Sequence, residues 1–390
     1  MPKVIAAGHL CLDIIPDLSR LKTESETGNF IEPGHLLRIG PASVALGGAV
    51  SNTGIALARL GTPVELMGKV GDDVFGKTIL EVFRSQQNDL LDFTSGMIVA
   101  PGEHSSYSLV VGTPGMDRCF LHCSGANDTF SPQDLHLEKM AGSTLLHFGY
   151  PTLMKEILSH PKEFAARLSE IRKQGLLISL DVSMPDPQGP EGNLDWKNWF
   201  DIVLPMVDIF LPSLEEMLFM LNRPLFDEIS RRVARVVVGQ GESVNPARFM
   251  KFEQITELAD ALLQRGVEIA GIKLGDQGLY LRTGENVART TSSLSPKTTA
   301  SWKNRSLLAP CFDVPVAGTT GSGDCTIAGF LTGLLNRWEP EKTLRFAVGV
   351  GACNVQTPDA TSGIPTRDAV LARMKTWKRK PTLFPDVPGC

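Results

Sequence analysis

The stretch Gly318-Thr319-Thr320-Gly321-Ser322-Gly323-Asp324 stands directly before an apolar segment, Cys325 to Leu335, whose pattern predicts a helix. Glycines let the backbone N–H groups of such a loop turn inward. The start of the helix adds unpaired amide donors and the positive end of the helix dipole. Together these donors are predicted to form an anion hole.

A carboxylate closes the same loop. Asp324 lies where anions would gather, which is unexpected if the loop only binds phosphate. Its position is explained if the carboxylate takes a proton from an attacking hydroxyl while the amides hold a transferring phosphoryl group. An N-capping aspartate after a glycine turn explains the residue equally well. The seven residues alone leave both interpretations open.

A second glycine-rich segment begins at Gly47-Gly48 and precedes another predicted helix. Paired glycines allow a small ligand to approach the backbone closely. Asn52, one turn further on, both donates and accepts hydrogen bonds, as recognition of a sugar hydroxyl requires. Ordinary strand-to-helix turn chemistry explains the segment as well.

A third segment, Gly71 to Thr78, fits the P-loop pattern G-x-x-x-x-G-K-[ST] and lies between a predicted strand and a predicted helix. A strand ending at Asp181 would supply a Walker-B-like partner. However, Asp72 and Asp73 would place two carboxylates in a loop meant to cradle phosphates. A P-loop NTPase is therefore an alternative that the sequence disfavours.

Predicted strands and helices alternate through most of the chain, which indicates an α/β fold with a mainly parallel central sheet between helical layers. Two strand-rich regions, about 14–44 and 93–123, lack helices and are predicted to form a small β-rich lid. Two further regions, about 223–252 and 284–306, have the composition of insertions. We expect one domain over residues 1–390.

Composition excludes several classes of protein. The 390 residues contain 38 Lys and Arg against 43 Asp and Glu, a net charge of −5, so no nucleic-acid partner is expected. No apolar run reaches the ~18 residues of a membrane span. The first residues lack the pattern of a secretory signal peptide. The seven cysteines are scattered, which favours a reducing, cytoplasmic location. Cys119 and Cys123 flank His122, but their spacing favours lid thiols over a metal site.

Together these segments resemble the ribokinase-like (PfkB-type) carbohydrate kinases. The segments that match follow the family's order and cover most of the chain: Gly8 with Asp13, Ala45 to Gly61, Gly68 to Gly76, Arg118 to Asn127, Lys273 to Gly278, and Gly318 to Asp324. The resemblance implies a three-layer α/β/α fold and explains the P-loop-like segment as the family's G-x-V-G-x-D-x-x-G motif.

The resemblance also implies roles for single residues. Asp324 would be the catalytic base, and the backbone of residues 321–323 would be the anion hole. The sugar would be held by Asp13, Gly47, Gly48 and Asn52, with Arg118 and Asn127 near the lid. ATP would lie near Lys273, Gly275, Gly278, Thr320 and Asn354, and Glu216 would organise Mg²⁺.

The chain departs from the family pattern at several positions. Gly318 replaces an aspartate that often helps to build a monovalent-cation site, so potassium activation is doubtful. Ser213 replaces the asparagine of the N-x-x-E motif, and Lys273 replaces a common threonine. The segment after Gly48 lacks the lysine of true ribokinases, which argues against simple ribose.

The expected function is ATP-dependent phosphorylation of a carbohydrate hydroxyl. A nucleoside kinase of the same family and a catalytically silent sugar or nucleoside sensor are alternatives. Because lid strands leave exposed edges, a homodimer that pairs the lids across a two-fold axis is also expected.

Overall fold

The computed structural model describes residues 2–19, 34, 36–86, 88–112, 119–240 and 244–389. Its strands are β1 (Val4–Gly8), β2 (Cys11–Pro16), β3 (Ala42–Gly47), β4 (Val64–Gly71), β5 (Leu91–Ala100), β6 (Tyr107–Val111), β7 (Cys119–Cys123), β8 (Leu145–Gly149), β9 (Leu177–Asp181), β10 (Ile209–Phe210), β11 (Ile269–Lys273), β12 (Leu279–Thr283) and β13 (Ser306–Ala309).

Its α-helices are α1 (Ala49–Arg59), α2 (Val74–Gln86), α3 (Lys155–Ser159), α4 (Pro161–Lys173), α5 (Trp196–Val203), α6 (Leu214–Leu221), α7 (Arg223–Gln240), α8 (Phe252–Leu263), α9 (Pro296–Trp302), α10 (Ser322–Leu335), α11 (Pro340–Asn354) and α12 (Arg367–Met374). Short 3₁₀ turns connect several of them, including one at Gly125–Thr129. None of the helices in the described ranges is long and apolar enough to cross a membrane.

A nine-stranded central sheet runs in the order β5-β4-β1-β8-β9-β10-β11-β12-β13. The pairs from β5 to β11 are parallel, and β12 and β13 add antiparallel strands at one edge. This confirms the mainly parallel α/β sheet that strand and helix alternation predicts. The carboxyl ends of the parallel strands meet at one edge of the sheet, where open α/β folds bind ligands.

Helices cover both faces of this sheet, and β1 shows why. Its alternate residues Val4 and Ala6 belong to one apolar cluster, while Ile5 and Ala7 belong to the other. Successive side chains of a strand point to opposite faces, so a strand buried on both sides must be apolar throughout. The helices α1, α10 and α11 pack on the first face, and α4, α5 and α8 pack on the second.

A smaller sheet, in the order β3-β2-β6-β7, stands apart from the central one. It corresponds to the lid that the strand-rich regions predict, with one difference. The range 93–123 is too wide, because β5 pairs with β4 in the central sheet and only β6 and β7 enter the lid. The helix α2 provides the crossover that places β5 parallel to β4, so β5 is the last strand of an ordinary β-α-β unit. Residues 20–33 and 35 of the range 14–44 lie outside the described residues.

The two predicted insertions contain structure of their own. The first holds α7, an 18-residue helix, followed after residues 241–243 by a 3₁₀ turn at Pro246–Phe249. The second holds α9, in which the side chain of Trp302 is fully buried and its indole N–H donates to the carbonyl of Trp338 at 3.2 Å. Both regions are therefore packed onto the domain.

Candidate active site

Asp324 lies in the first turn of α10, and its side chain is almost fully buried at 1% exposure. Gly321 precedes the helix with a φ of 71°, a left-handed conformation that favours glycine. The carboxylate accepts hydrogen bonds from Asn52 Nδ2 at 2.9 Å and from the Tyr150 hydroxyl, which lies 2.9 Å from each oxygen. A weaker contact comes from Thr53 Oγ1 at 3.5 Å. The carboxylate is thus buried, oriented and supplied with donors.

Burial raises the pKa of Asp324 because desolvation penalises the charged carboxylate. The hydrogen bond from Asn52, the charge of Lys273 and the bond from Tyr150 act in the opposite direction but do not cancel it. A carboxylate with a raised pKa is a stronger base than an exposed one. The first turn of a helix also favours negative charge, which acts in the same direction as these donors.

Tyr150 is a site residue that the sequence reading missed. It directly follows β8 and adopts φ 60° and ψ 47°, a left-handed conformation that is unusual for an aromatic residue. Such a conformation costs about 1–3 kcal/mol and persists where the surroundings enforce it. Its position after a parallel strand was the one available signal, because side chains there reach the ligand edge of the sheet.

The predicted anion hole lines a polar cavity of about 570 Å³, with Gly321, Ser322, Gly323 and Asp324 in its wall. The Ser322 amide donates to the carbonyl of Thr319 at 3.2 Å. The next amides of the helix start lack intrahelical partners by the geometry of an α-helix. These peptide units carry the positive partial charge of the site.

A hydrogen bond between Asn354 and Thr320 stabilises this loop. Asn354 is fully buried, and its amide nitrogen donates to the carbonyls of Thr320 at 3.2 Å and Ala360 at 2.6 Å. The carbonyl of Thr320 therefore faces Asn354. Both residues shape the glycine loop. Asn354 lines neither the polar cavity nor a smaller, mostly apolar cavity that adjoins it.

Lys273 forms a buried ion pair at the end of β11. Its Nζ lies 2.8 Å from both oxygens of Asp181, whose side chain is fully buried. Burial alone would lower the pKa of Lys273, but the carboxylates of Asp181, Glu216 and Asp324 outweigh it and raise that pKa. Lys273 also lines the polar cavity, so it brings a fixed positive charge to the wall of the anion hole.

Glu216 also lines the polar cavity. Its carboxylate accepts from the Ser213 amide at 2.6 Å while Ser213 Oγ accepts from the Glu216 amide, which is a capping box at the start of α6. Ser213 thus replaces asparagine as the helix cap without loss of the local geometry. Burial raises the pKa of Glu216, and Lys273 opposes that effect.

A second cavity of about 250 Å³ adjoins the first, and its lining is mostly apolar. The two cavities share Lys273, Gly275, Asp276, Thr319, Ser322 and Gly323. Gly278 also lines the second cavity, and a Cβ on it would lie 1.9 Å from the carbonyl oxygen of Ala309. An apolar cavity that opens into a polar, amide-lined one suits a ligand with a flat organic group and a phosphate chain.

The first predicted insertion also contributes a residue to this site. Asn245 donates to the carbonyl of Leu274 at 2.8 Å and to Asp276 Oδ1 at 2.5 Å, and it lines the polar cavity. Because residues 223–252 are distant in sequence from the recognised motifs, the pattern of motifs gave no sign of this contact.

The residues predicted to hold the sugar meet on the other side of Asp324. A Cβ on Gly47 would lie 2.5 Å from the carboxylate oxygens of Asp13. A Cβ on Gly48, whose φ is 88°, would lie 2.6 Å from the carbonyl oxygen of His9. Glycine is therefore needed at both positions. Asn52 contacts Asp324 directly, so in this structure it orients the carboxylate.

Asn127 connects the lid return to the first strand. Its amide accepts from the Leu10 N–H at 3.2 Å and donates to the Leu10 carbonyl at 2.9 Å, and it is fully buried. It therefore braces the backbone between β1 and β2. Arg118, the other lid residue that the sequence predicts, lies outside the described residues.

The P-loop-like segment is arranged differently from a phosphate cradle. Asp73 Oδ1 accepts from the Gly76 amide at 2.8 Å, and both Asp73 oxygens accept from Ser105. Lys77 is exposed. The Gly76 amide at the start of α2 thus already binds a carboxylate of its own chain.

A buried carboxylate at a glycine-rich helix start, beside a polar and an apolar cavity on the ligand edge of a parallel sheet, defines a phosphotransferase type of site. Comparison with known proteins gives the family. The profile of pfkB family carbohydrate kinases matches residues 1–367, and the chain belongs to this family.

Named relatives are distant but span the chain. A ribokinase of Haemophilus influenzae is 23% identical over 344 residues, which covers 88% of this chain and 91% of that protein. A 2-dehydro-3-deoxygluconokinase of Bacillus subtilis is 24% identical over 348 residues, covering 87% and 90%. A probable chloroplastic fructokinase of Arabidopsis thaliana is 24% identical over 381 residues, covering 95% and 81%.

Solved structures share the fold. The Arabidopsis thaliana ribokinase complexed with ribose and ATP superposes with a TM-score of 0.67 at 21% identity, covering 96% of this chain and 99% of that one. A nucleoside kinase of Methanocaldococcus jannaschii has a TM-score of 0.61 at 17% identity, covering 96% and 99%. The ribokinase fold expected from the motifs is thereby confirmed.

Proposed function

We propose that the protein transfers the γ-phosphoryl group of ATP to a hydroxyl group of a small carbohydrate, with Asp324 as the general base. The observation that carries this proposal is the setting of Asp324: buried, held by Asn52 and Tyr150, and placed in the helix turn whose amides line the polar cavity. The fold relatives include kinases solved with ATP, which supports the same donor here.

The apolar cavity would take the adenosine part of ATP, and the polar cavity would take its phosphates. The acceptor hydroxyl approaches Asp324 from the side of Asp13, and its proton moves to the carboxylate as its oxygen attacks the γ-phosphorus. The bond from phosphorus to the β-phosphate oxygen breaks, and ADP leaves. The amides of residues 321–324 and the charge of Lys273 lie along the cavity wall to stabilise the phosphoryl oxygens.

Glu216 is the residue that would hold Mg²⁺. The side chains of the site fit the ligand preference of this ion. Mg²⁺ keeps several water ligands and is bound through one or two carboxylates together with substrate phosphates. Glu216 lines the polar cavity with its backbone fixed by the capping box, which meets that need. Bound there, the ion would neutralise phosphate charge. A fold relative from Escherichia coli solved with ATP and Mg²⁺ supports the choice of this ion.

The deciding experiment is the Asp324→Asn variant. Loss of a general base lowers kcat by about 10²–10⁴-fold. Since asparagine keeps the shape of the side chain, calorimetry should still detect ATP binding. Asp73→Asn, the same change at the start of the other glycine-rich helix, serves as the matched control and should leave kcat close to that of the parent. If kcat of Asp324→Asn stays within about tenfold of the parent, Asp324 is not the base.

A ligand screen followed by a turnover assay separates the alternative functions. A panel of sugars and nucleosides is screened by thermal shift in the presence of an ATP analogue, because a ligand that binds only the native state raises Tm. Each stabilising compound is then offered with ATP. Stabilisation without ADP release for any of them would establish a sensor, and turnover of nucleosides alone would establish a nucleoside kinase.

The lid is the proposed dimer contact. The strand β7 is an edge of the small sheet, and Phe120 and Leu121 on it are 51% and 55% exposed, as is Val44 on β3 at 51%. Pairing two lids would cover these side chains and the open edge. Light scattering is expected to give a dimer for the parent chain and a monomer for Phe120→Lys; a monomeric parent would exclude the contact. The cysteines of the described residues are all unpaired, which agrees with the proposed cytoplasmic location.

A further inference from the structure

Two histidines and a cysteine, from the β1–β2 connection and the lid strand β7, come together close to Asp13. His9 follows β1, Cys11 begins β2, and His122 lies on the lid strand β7. Their ligand atoms, one from each side chain, all lie within 4.8 Å of one another. His9 and Cys11 are buried, at 2% and 3% exposure. From this arrangement we infer that His9, Cys11 and His122 form a binding site for a zinc-class divalent metal ion.

The spacing of the two imidazoles fits a shared ion. His9 Nε2 lies 3.2 Å from His122 Nε2. Two nitrogens bound to one tetrahedral zinc ion at 2.0–2.1 Å lie about 3.3 Å apart. The rings are tilted by 52°, so they do not stack. The proposed ion lies between the two Nε2 atoms. An ion at that point would accept both lone pairs.

The hydrogen bonds of the two rings agree with this geometry. His122 Nδ1 lies 3.0 Å from Ser108 Oγ, a contact that leaves Nε2 as the ligand atom when Nδ1 carries the proton. His9 Nδ1 has no hydrogen-bond partner within the described ranges, so the pair is not fully satisfied as it stands.

Cys11 supplies the soft ligand that selects the metal. The thiol loses its proton when the metal binds: M²⁺ + R–SH gives M–SR⁺ + H⁺. Asp13 Oδ1 lies 3.5 Å from Cys11 Sγ and adds negative charge beside the site. Two imidazoles with a thiolate suit zinc and its neighbours, whereas magnesium prefers oxygen ligands.

This cluster differs from the possible metal site around Cys119, His122 and Cys123 that the sequence suggests. Cys119 and Cys123 flank His122 on β7, but the metal cluster joins His122 to His9 and Cys11 and includes neither of them. The lid strand therefore contributes one ligand, and the β1–β2 connection contributes two. The inference does not depend on the proposed kinase activity, because it rests on ligand geometry alone.

The test uses the purified full-length chain, stripped with a chelator and titrated with Co²⁺ as a spectroscopic probe and then with Zn²⁺. We expect one tetrahedral Co²⁺ per chain with a thiolate-to-cobalt charge-transfer band that Zn²⁺ removes. Calorimetry in buffers of different ionisation enthalpy should show release of one proton per metal ion. Cys11→Ser should abolish the charge-transfer band, and Cys123→Ser is the matched control that should keep it.

Ser108→Ala provides a milder second variant. Loss of a partner that orients a ligating histidine weakens metal affinity by about 10–100-fold. Loss of a serine that contacts no ligand would leave the metal affinity unchanged. The inference is overturned if Co²⁺ gives no charge-transfer band, if the band survives in Cys11→Ser, or if Cys123→Ser removes it. None of these results bears on Asp324→Asn, so failure of the metal site and failure of the proposed function are distinguishable.

Discussion

The hydroxyl of Tyr150 is the group whose removal tests the electrostatics of the active site most directly. It donates to Asp324 at 2.9 Å from each oxygen and is one of the influences that hold the pKa of this buried carboxyl down against desolvation. Tyr150→Phe keeps the ring and removes only the donor. We expect the pKa of Asp324 to rise further.

The size of the shift follows from hydrogen-bond energetics. A bond to an ionised group contributes about 1.5–3 kcal/mol, and a bond to a neutral acceptor about 0.5–1.5 kcal/mol. The hydroxyl contacts both oxygens but has one proton, so it counts as a single bond. The difference, about 1–1.5 kcal/mol, corresponds to roughly one pKa unit at 1.36 kcal/mol per unit.

The assay is the dependence of kcat/KM on pH for the acceptor, which reports the pKa of the free enzyme's base. A base works when ionised, so activity rises with pH through its pKa. A higher pKa in Tyr150→Phe therefore moves the acidic limb upward by roughly one unit, with the plateau retained at higher pH. Thr53→Val, which removes only the 3.5 Å contact, is the control and should shift the limb much less.

An unchanged limb in Tyr150→Phe, or one displaced to lower pH, would refute the assignment of Asp324 as the titrating base. A fall in the plateau with no displacement would show that Tyr150 positions the acceptor without tuning the carboxylate.

Three other perturbations have defined outcomes. Lys273→Met leaves the fully buried Asp181 unpaired, so urea unfolding should show a loss of about 3–5 kcal/mol, and adding Asp181→Asn should recover part of the stability but not kcat. An undiminished stability would contradict the ion pair. Lys77→Ala should leave ATP turnover near that of the parent, because Asp73 already occupies the start of α2; abolished turnover would instead favour a P-loop NTPase. Turnover should not require K⁺, because Gly318 carries no carboxylate and a Cβ there would lie 3.0 Å from Pro358; activation by K⁺ over Na⁺ would contradict this.

Much of the fold could be predicted because its signals are local. Alternating strands and helices indicate the parallel sheet, and the seven residues Gly318 to Asp324 carry the glycines and the helix start next to each other. Local patterns also misplaced one boundary. The sequence shows no helix between β5 and the following strands, so β5 resembles a lid strand, and only its pairing with β4 places it in the central sheet.

The partners of the site residues could not be read from the sequence. Asn52 is predicted to contact the sugar, and the structure adds a hydrogen bond from it to Asp324. Asn354 is predicted to lie near the nucleotide, and the structure adds a hydrogen bond from it to the carbonyl of Thr320. In both cases the residue type was right for a hydrogen bond, but an amide side chain does not reveal which of several nearby groups it will meet.

The sequence by itself determined the class of fold and placed the glycine loop directly before Asp324, because both features depend on residues adjacent in the chain. Tertiary structure alone decided that Tyr150 reaches Asp324 across 174 residues, that Lys273 pairs with Asp181 across 92, and that His9 meets His122 across 113. The physical reason is topological. A parallel sheet brings the carboxyl ends of distant strands to one edge, and side chains that share no local pattern become neighbours there.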